Sequence, residues 1–178
     1  QDPFVVALGD SFLTHDGDQQ ILKRMIDVCE VTPECDGVIV FEQVDPSHVE
    51  RYGIARVAPD FAPEGPFWLE DIVEKPKPAE SPSNYAVAGR YIFSPDIYSY
   101  LRRIQPGYGQ ELQLTDAIRL MIHEGGRILG LLMRNGGQRF DIGNYQSYWK
   151  AFFYFALRDP ELGPVIREYV SEQLALLS

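Results

Sequence analysis

The sequence is short of cysteine, of net positive charge and of long apolar runs, and each shortage removes a class of function. Only two cysteines occur, Cys29 and Cys35. Their spacing lacks the further ligands of a structural zinc site. So few cysteines fit a reducing compartment better than a disulfide framework, and a cytoplasmic location is expected. Lysine and arginine total 16 against 26 aspartates and glutamates, a net charge of −10. Such an acidic chain offers no broad electrostatic surface to nucleic acid or to an anionic membrane. An anionic small molecule stays open, because a local site can be positive on an acidic protein. No apolar run is long enough to cross a bilayer, and no stretch has the pattern of a secretory signal. Internal repeats and low-complexity segments are absent as well. What is there is a chain of 178 residues, 45% hydrophobic and 24% charged, of a size to form one domain with a real core.

The apolar residues fall into alternating strand and helix patterns. Pro3 to Leu8 is a continuous apolar run, the pattern of a strand buried on both faces of a parallel sheet. It begins at once, so neighbouring strands are expected upstream, in a larger protein. Gln19 to Val31 carries Ile21, Leu22, Met25, Ile26 and Cys29 at helical spacing. Val38 to Phe41 reads as a second buried strand, completing a βαβ unit with a right-handed crossover. A helical turn is expected at Pro46 to Glu50. Two strands follow, Ile54 to Ala58 and Phe67 to Lys75, as a hairpin-like excursion around a Pro/Gly-rich loop. Tyr85 to Phe93 is a strand whose small residues, Ala86, Ala88 and Gly89, admit either a close approach or dense packing. Ser94 and Pro95 suit the start of a helix to Ile104. A further helix runs from Leu114 to Glu124, closed by Gly125-Gly126. Ile128 to Met133 is an apolar strand, continued after a Gly136-Gly137 turn by Arg139 to Gly143. Asn144 or Ser147 caps an aromatic helix to Leu157. The last helix, from Val165, has Ile166, Tyr169, Val170 and Leu174 on one face, for the domain or for a partner subunit. This alternation predicts an α/β layered domain.

Three places carry candidate chemistry. Glu74 and Lys75 stand where a strand is stopped by Pro76, and strand ends are where open α/β sheets place their sites. Strand alternation sends the two side chains to opposite faces. An exposed Glu–Lys pair with no function fits the same residues. Asp10 follows the first strand, placed either for a metal or sugar hydroxyl or as a turn or cap residue. Gly53 serves either a turn or a close ligand.

Several stretches then resemble one family in order. They are ALGD at 7–10, ERYGIA at 50–55, VEKPKPAESPSNYAVAGRY at 73–91, ELQLTDAI at 111–118, RFDIG at 139–143 and FALRDPELG at 155–163. Together they resemble the sugar-phosphate nucleotidylyltransferases, and the ELQLTDAI and FALRDPELG stretches favour the uridylyl branch. The resemblance implies a mixed, mainly parallel Rossmann-like α/β sheet flanked by helices, incomplete at its N-terminus. Residues 1–178 would form the sugar-phosphate-binding and C-terminal part of a nucleotidyltransferase domain. It implies transfer from UTP to glucose 1-phosphate, giving UDP-glucose and pyrophosphate, with Mg²⁺ as cofactor and a homo-oligomer as the assembly. Asp10 and Asp141 match the family's metal-binding carboxylates, and Lys75 the lysine that contacts phosphate. Glu74 matches the acid that accepts from sugar hydroxyls, Gly53 and Val87 match backbone positions that line the family's sugar pocket, and Gly9 would let the substrate approach beside Asp10. Ser11 stands where some relatives have an acidic or amide residue. The family's glycine-rich phosphate loop has no counterpart here, so the chain alone is expected to be inactive. Two alternatives remain at this point: a thymidylyltransferase acting on glucose 1-phosphate, and a non-catalytic sugar-phosphate-binding or oligomerisation module.

Overall fold

The computed structural model describes residues 2–14, 20–134 and 137–177. Gln19 and Gly136, which the sequence reading placed in a helix and a turn, lie outside the described residues. In chain order the elements are β1 (Phe4–Ala7), β2 (Ser11–Leu13), α1 (Ile21–Val31), β3 (Gly37–Gln43), β4 (Gly53–Val57) and β5 (Phe67–Glu74). Then come β6 (Tyr85–Phe93), α2 (Ile97–Leu101), α3 (Leu114–His123), β7 (Ile128–Leu132), β8 (Arg139–Asp141), α4 (Tyr145–Arg158) and α5 (Gly163–Leu177). Short 3₁₀ turns sit at Pro46–Arg51, Pro78–Glu80 and Tyr108–Gln110. Two compact units divide the chain: Gln1–Leu8 with Leu13–Arg139, and Gly9–Phe12 with Phe140–Ser178.

The first unit is built on a six-stranded sheet in the order β1-β6-β3-β7-β5-β4. β3 shows why. Its apolar residues have no polar alternation, so both of its faces must be covered. Ile39 and Phe41 join Phe67, Ile72, Phe93, Ile118 and Met121 on one side, where α2 and α3 pack. Val38 and Val40 join Ile21, Met25, Ile92 and Leu131 on the other, under α1. Helices therefore flank the sheet on both faces, as expected for the mixed α/β class.

Within that class the mainly parallel sheet is corrected. Among the described residues β3–β7 is the parallel pairing, and β1–β6, β3–β6, β4–β5, β4–β6 and β5–β7 are antiparallel. The reason lies in the connections. β4 to β5 is a hairpin-like return, and β6 runs back between β1 and β3. β1 is corrected too. It pairs antiparallel with β6 and alternates half-buried with exposed positions, so its continuous apolar pattern does not mean burial on both faces here. β6 uses Val87 to Tyr91 to span what β3 covers from Ile39 to Phe41, and Gly89 at φ 75° takes up the excess.

Other boundaries move for local reasons. α2 is short, Ile97–Leu101, and the Ser94 carbonyl rather than a side-chain cap receives the first N–H, from Ile97. Arg139 onward does not continue β7. Its residues form β8, which pairs with β2 in a separate two-stranded sheet. In the second unit Phe140 packs with tilted rings against Tyr154 and Phe155 of α4, with ring centres 4.5 and 5.3 Å away. Asn144 caps α4 by accepting the Ser147 N–H at 3.0 Å.

Candidate acceptor pocket and carboxylate pair

In the first unit the predicted residues Gly53, Glu74, Lys75 and Val87 come together. Gly53 opens β4 and is the register partner of Glu74, the last residue of β5. A Cβ at Gly53 would lie 3.3 Å from Glu74 Oε2, 3.3 Å from Val87 Cγ2 and 2.9 Å from Thr115 Oγ1. The missing side chain thus leaves a point on which a carboxylate, a methyl and a hydroxyl converge. Thr115 was absent from the sequence-derived candidates. Its signal was a hydroxyl residue in the first turn of a helix, but only the packing of α3 brings it beside β4.

Lys75 departs from the sequence reading in a specific way. β5 ends one residue early, at Glu74, and Lys75 adopts a left-handed φ of 45°. Its N–H donates to the Tyr52 carbonyl at 2.9 Å. Strand alternation therefore stops before it applies, and the two side chains meet. Lys75 Nζ lies 3.5 Å from Glu74 Oε1. The side chains are 28% and 13% exposed, which removes the reading of a solvent-exposed surface pair. Lys75 Nζ also sits 4.7 Å from the centre of the Tyr108 ring. A left-handed lysine before proline is strained backbone, and strain of this kind concentrates at functional sites.

Buried polar groups lie beside this cluster. Burial pushes the Tyr91 phenol well above its ordinary value, with the Glu74 carboxylate adding to the shift and Arg139 opposing it. Tyr91 therefore stays neutral near Glu74. Arg139 Nε donates to Glu42 Oε1, and its guanidinium lies 4.5 Å from the Tyr52 ring centre. Burial pushes the Glu42 carboxyl up, and Arg139 only partly offsets it. The pair anchors Tyr52, whose carbonyl holds Lys75 and whose neighbour is Gly53.

In the second unit Asp10 and Asp141, far apart in sequence, are brought to one place. Around a Cβ position at Gly143, Asp141 Oδ1 lies 3.1 Å away and Asp10 Oδ2 3.5 Å away. The Ile142 N–H donates to the Asp10 carbonyl at 2.8 Å, and the Gly143 N–H to Asp141 Oδ1 at 2.8 Å. The Asp10 backbone and the Asp141 carboxylate are thereby tied to the same short stretch after β8. Gly9, next to Asp10, has open space where a side chain would be. No group of three or more histidine, cysteine, aspartate or glutamate side chains placed to hold a metal occurs among the described residues. The donor set is thus two carboxylates, which suits a hard cation that takes its other ligands from elsewhere.

A helix-flanked mixed sheet with a carboxylate and an ammonium at a strand end, and a helix hydroxyl beside them, suits the handling of a polar, anionic ligand. The chain belongs to the nucleotidyl transferase family, which matches it over residues 1–156. Among curated relatives, the UTP–glucose-1-phosphate uridylyltransferase of Staphylococcus epidermidis is 33% identical over 171 residues, 96% of this chain and 56% of the relative. The chain therefore spans about half the length of the curated relatives it matches. Among solved structures, UDP-glucose pyrophosphorylase from Acinetobacter baumannii matches with a TM-score of 0.80 at 32% identity, over 97% of this chain and 57% of that one. A UDP-glucose pyrophosphorylase complexed with UDP-glucose matches with a TM-score of 0.77 at 34% identity, over 88% of this chain and 57% of that one.

Proposed function

We propose that this chain supplies the sugar-phosphate side, and the C-terminal part, of a nucleotidyltransferase domain that makes UDP-glucose. A phosphate oxygen of glucose 1-phosphate attacks the α-phosphorus of UTP, and the bond to pyrophosphate breaks. The observation that carries this reading is the convergence of Glu74, Thr115 and Val87 on Gly53, with the Lys75 ammonium beside them. Glu74 accepts from sugar hydroxyls, and Thr115 offers a hydroxyl that both donates and accepts. Val87 and the bare Gly53 shape the space against the sugar ring. Lys75 pairs with phosphate and offsets charge that develops during in-line displacement, a reaction that needs positioning and neutralisation more than a covalent partner.

Asp10 and Asp141 fit Mg²⁺ in number and type, since this ion prefers one or two carboxylates completed by phosphate oxygens and water. When bound, it supplies charge neutralisation at the phosphates. Gly9 leaves room beside Asp10 for a substrate. Two free thiols, Cys29 and Cys35, support a cytoplasmic setting. Exposed Val165, Tyr169 and Leu174 on α5 support a homo-oligomer.

The test is steady-state UDP-glucose formation by the full-length natural protein. Lys75→Ala lowers kcat by about a hundredfold. Glu74→Ala acts mainly on glucose 1-phosphate, raising its KM about tenfold through lost charge-assisted hydrogen bonds. Wild-type kinetics in both variants would overturn the assignment.

A further inference from the structure

The geometry points to Tyr108 as a positioning residue for the Lys75 ammonium, an inference that rests on the acceptor-pocket reading above. Among the described residues two groups attract that ammonium: Glu74 Oε1 at 3.5 Å and the Tyr108 ring, centred 4.7 Å away. They differ in consequence. A carboxylate in full contact would cancel the charge that a phosphate needs, and would occupy the oxygens that sugar hydroxyls need. The face of an aromatic ring holds a cation without neutralising it. The Lys75–Glu74 separation is longer than a charge-assisted hydrogen bond of about 2.7–2.9 Å, so the two stop short of that contact. The ring is the group that competes with Glu74 for the ammonium.

The loop carrying Tyr108 is built to hold it. The Tyr108 carbonyl accepts from the Glu111 N–H at 3.4 Å and from Gln113 Nε2 at 3.1 Å. The Gly107 N–H donates to the Glu111 carbonyl at 2.8 Å, and the Gln110 N–H to the Gly107 carbonyl at 3.1 Å. Closing the loop takes two successive left-handed residues, Gly109 at φ 68° and Gln110 at φ 62°. The second is costly for a residue with a side chain. Yet Tyr108 is 58% exposed, so core packing does not account for its position. The loop runs directly into α3, which contributes Thr115, so ring and hydroxyl are set by one segment. Tyr108 thus keeps Lys75 available to the phosphate monoester of the sugar and keeps Glu74 available to its hydroxyls.

Calorimetric titration of the full-length protein with glucose 1-phosphate tests this, with thermal unfolding as a check on folding. Tyr108→Leu keeps bulk and loses the π-face, and weakens binding about fourfold, as expected for a partly exposed cation–π contact. KM for glucose 1-phosphate rises by the same factor. Tyr108→Phe keeps the face and restores affinity to within about twofold of the wild type. Equal affinity in Tyr108→Leu and wild type would overturn the inference, and so would an equal loss in both variants. The Lys75 ε-methylene proton shift gives a readout that does not depend on the ligand. It is displaced by the ring current in wild type and Tyr108→Phe, and returns to an ordinary lysine value in Tyr108→Leu. Failure of wild type to bind glucose 1-phosphate counts against the functional reading, and an unchanged proton shift in Tyr108→Leu counts against Tyr108.

Discussion

Lys75 shows at the scale of one residue how tertiary contacts can override local preference. A residue before proline is normally extended, and Lys75 is left-handed instead, at φ 45°. Only glycine adopts that region freely, and for other residues it costs about 1–2 kcal/mol. Lys75→Gly and Lys75→Ala both delete the ammonium and differ mainly in backbone freedom. Urea denaturation should therefore find the glycine variant more stable than the alanine variant by about 1 kcal/mol, with both nearly inactive. An alanine variant of equal or greater stability would mean that the left-handed backbone is not strained. The sequence showed that Glu74, Lys75 and Pro76 close a strand, because proline cannot donate to a ladder. It could not show the left-handed turn, because that depends on the Tyr52 carbonyl that receives the Lys75 N–H. Thr115 stayed hidden for a related reason: its hydroxyl acquires meaning only beside Gly53, which lies on another element.

Between elements, the contact of β7 with β5 is decided by one small residue. Gly130 opposes Phe67 in the antiparallel register, and a Cβ there would fall 2.4 Å from two Phe67 ring carbons. The ring has little room to yield, because it packs against Phe41 and Phe61 with centres 6.0 and 5.0 Å away. Gly130→Ala should cost about 2 kcal/mol by overpacking. Phe67→Leu alone should also destabilise, by roughly 1–2 kcal/mol through lost packing. The double variant should lose clearly less than the sum of the two, which equilibrium unfolding of all four proteins measures. Strict additivity would show that the two positions do not press on one another. Elements with a strong period were legible in advance: the two-faced apolar run of β3, the amphipathic α1 and α3, and the full span of β6. The pairing of β2 with β8 was not, since three residues on each side carry no usable period and the partners are distant in sequence. Asp141 ends β8 and Asp10 precedes β2, so their convergence was open to family resemblance and closed to local pattern.

Stability as a whole-molecule property turns on a charge pair that joins distant parts of the first unit. Arg139 and Glu42 are 97 residues apart, and their side chains are 10% and 20% exposed. Burial raises the Glu42 pKa, and Arg139 opposes the rise. A carboxyl with a raised folded-state pKa binds its proton more tightly in the folded chain than in the unfolded one. Its contribution to stability is therefore full below the unfolded pKa, and is lost as pH climbs through the folded pKa. Arg139→Met removes the opposing charge, so the folded pKa rises further and the loss extends to higher pH. The variant should cost about 3 kcal/mol near pH 8, where an unpaired buried carboxylate must be tolerated, and clearly less near pH 5, where Glu42 can take up a proton. Adding Glu42→Leu removes the stranded charge, and should recover much of the loss at the higher pH while changing little at the lower. Urea titrations of wild type, single and double variants at the two pH values measure this. A cost that stays constant with pH, or grows as pH falls, would show that Glu42 does not carry the effect.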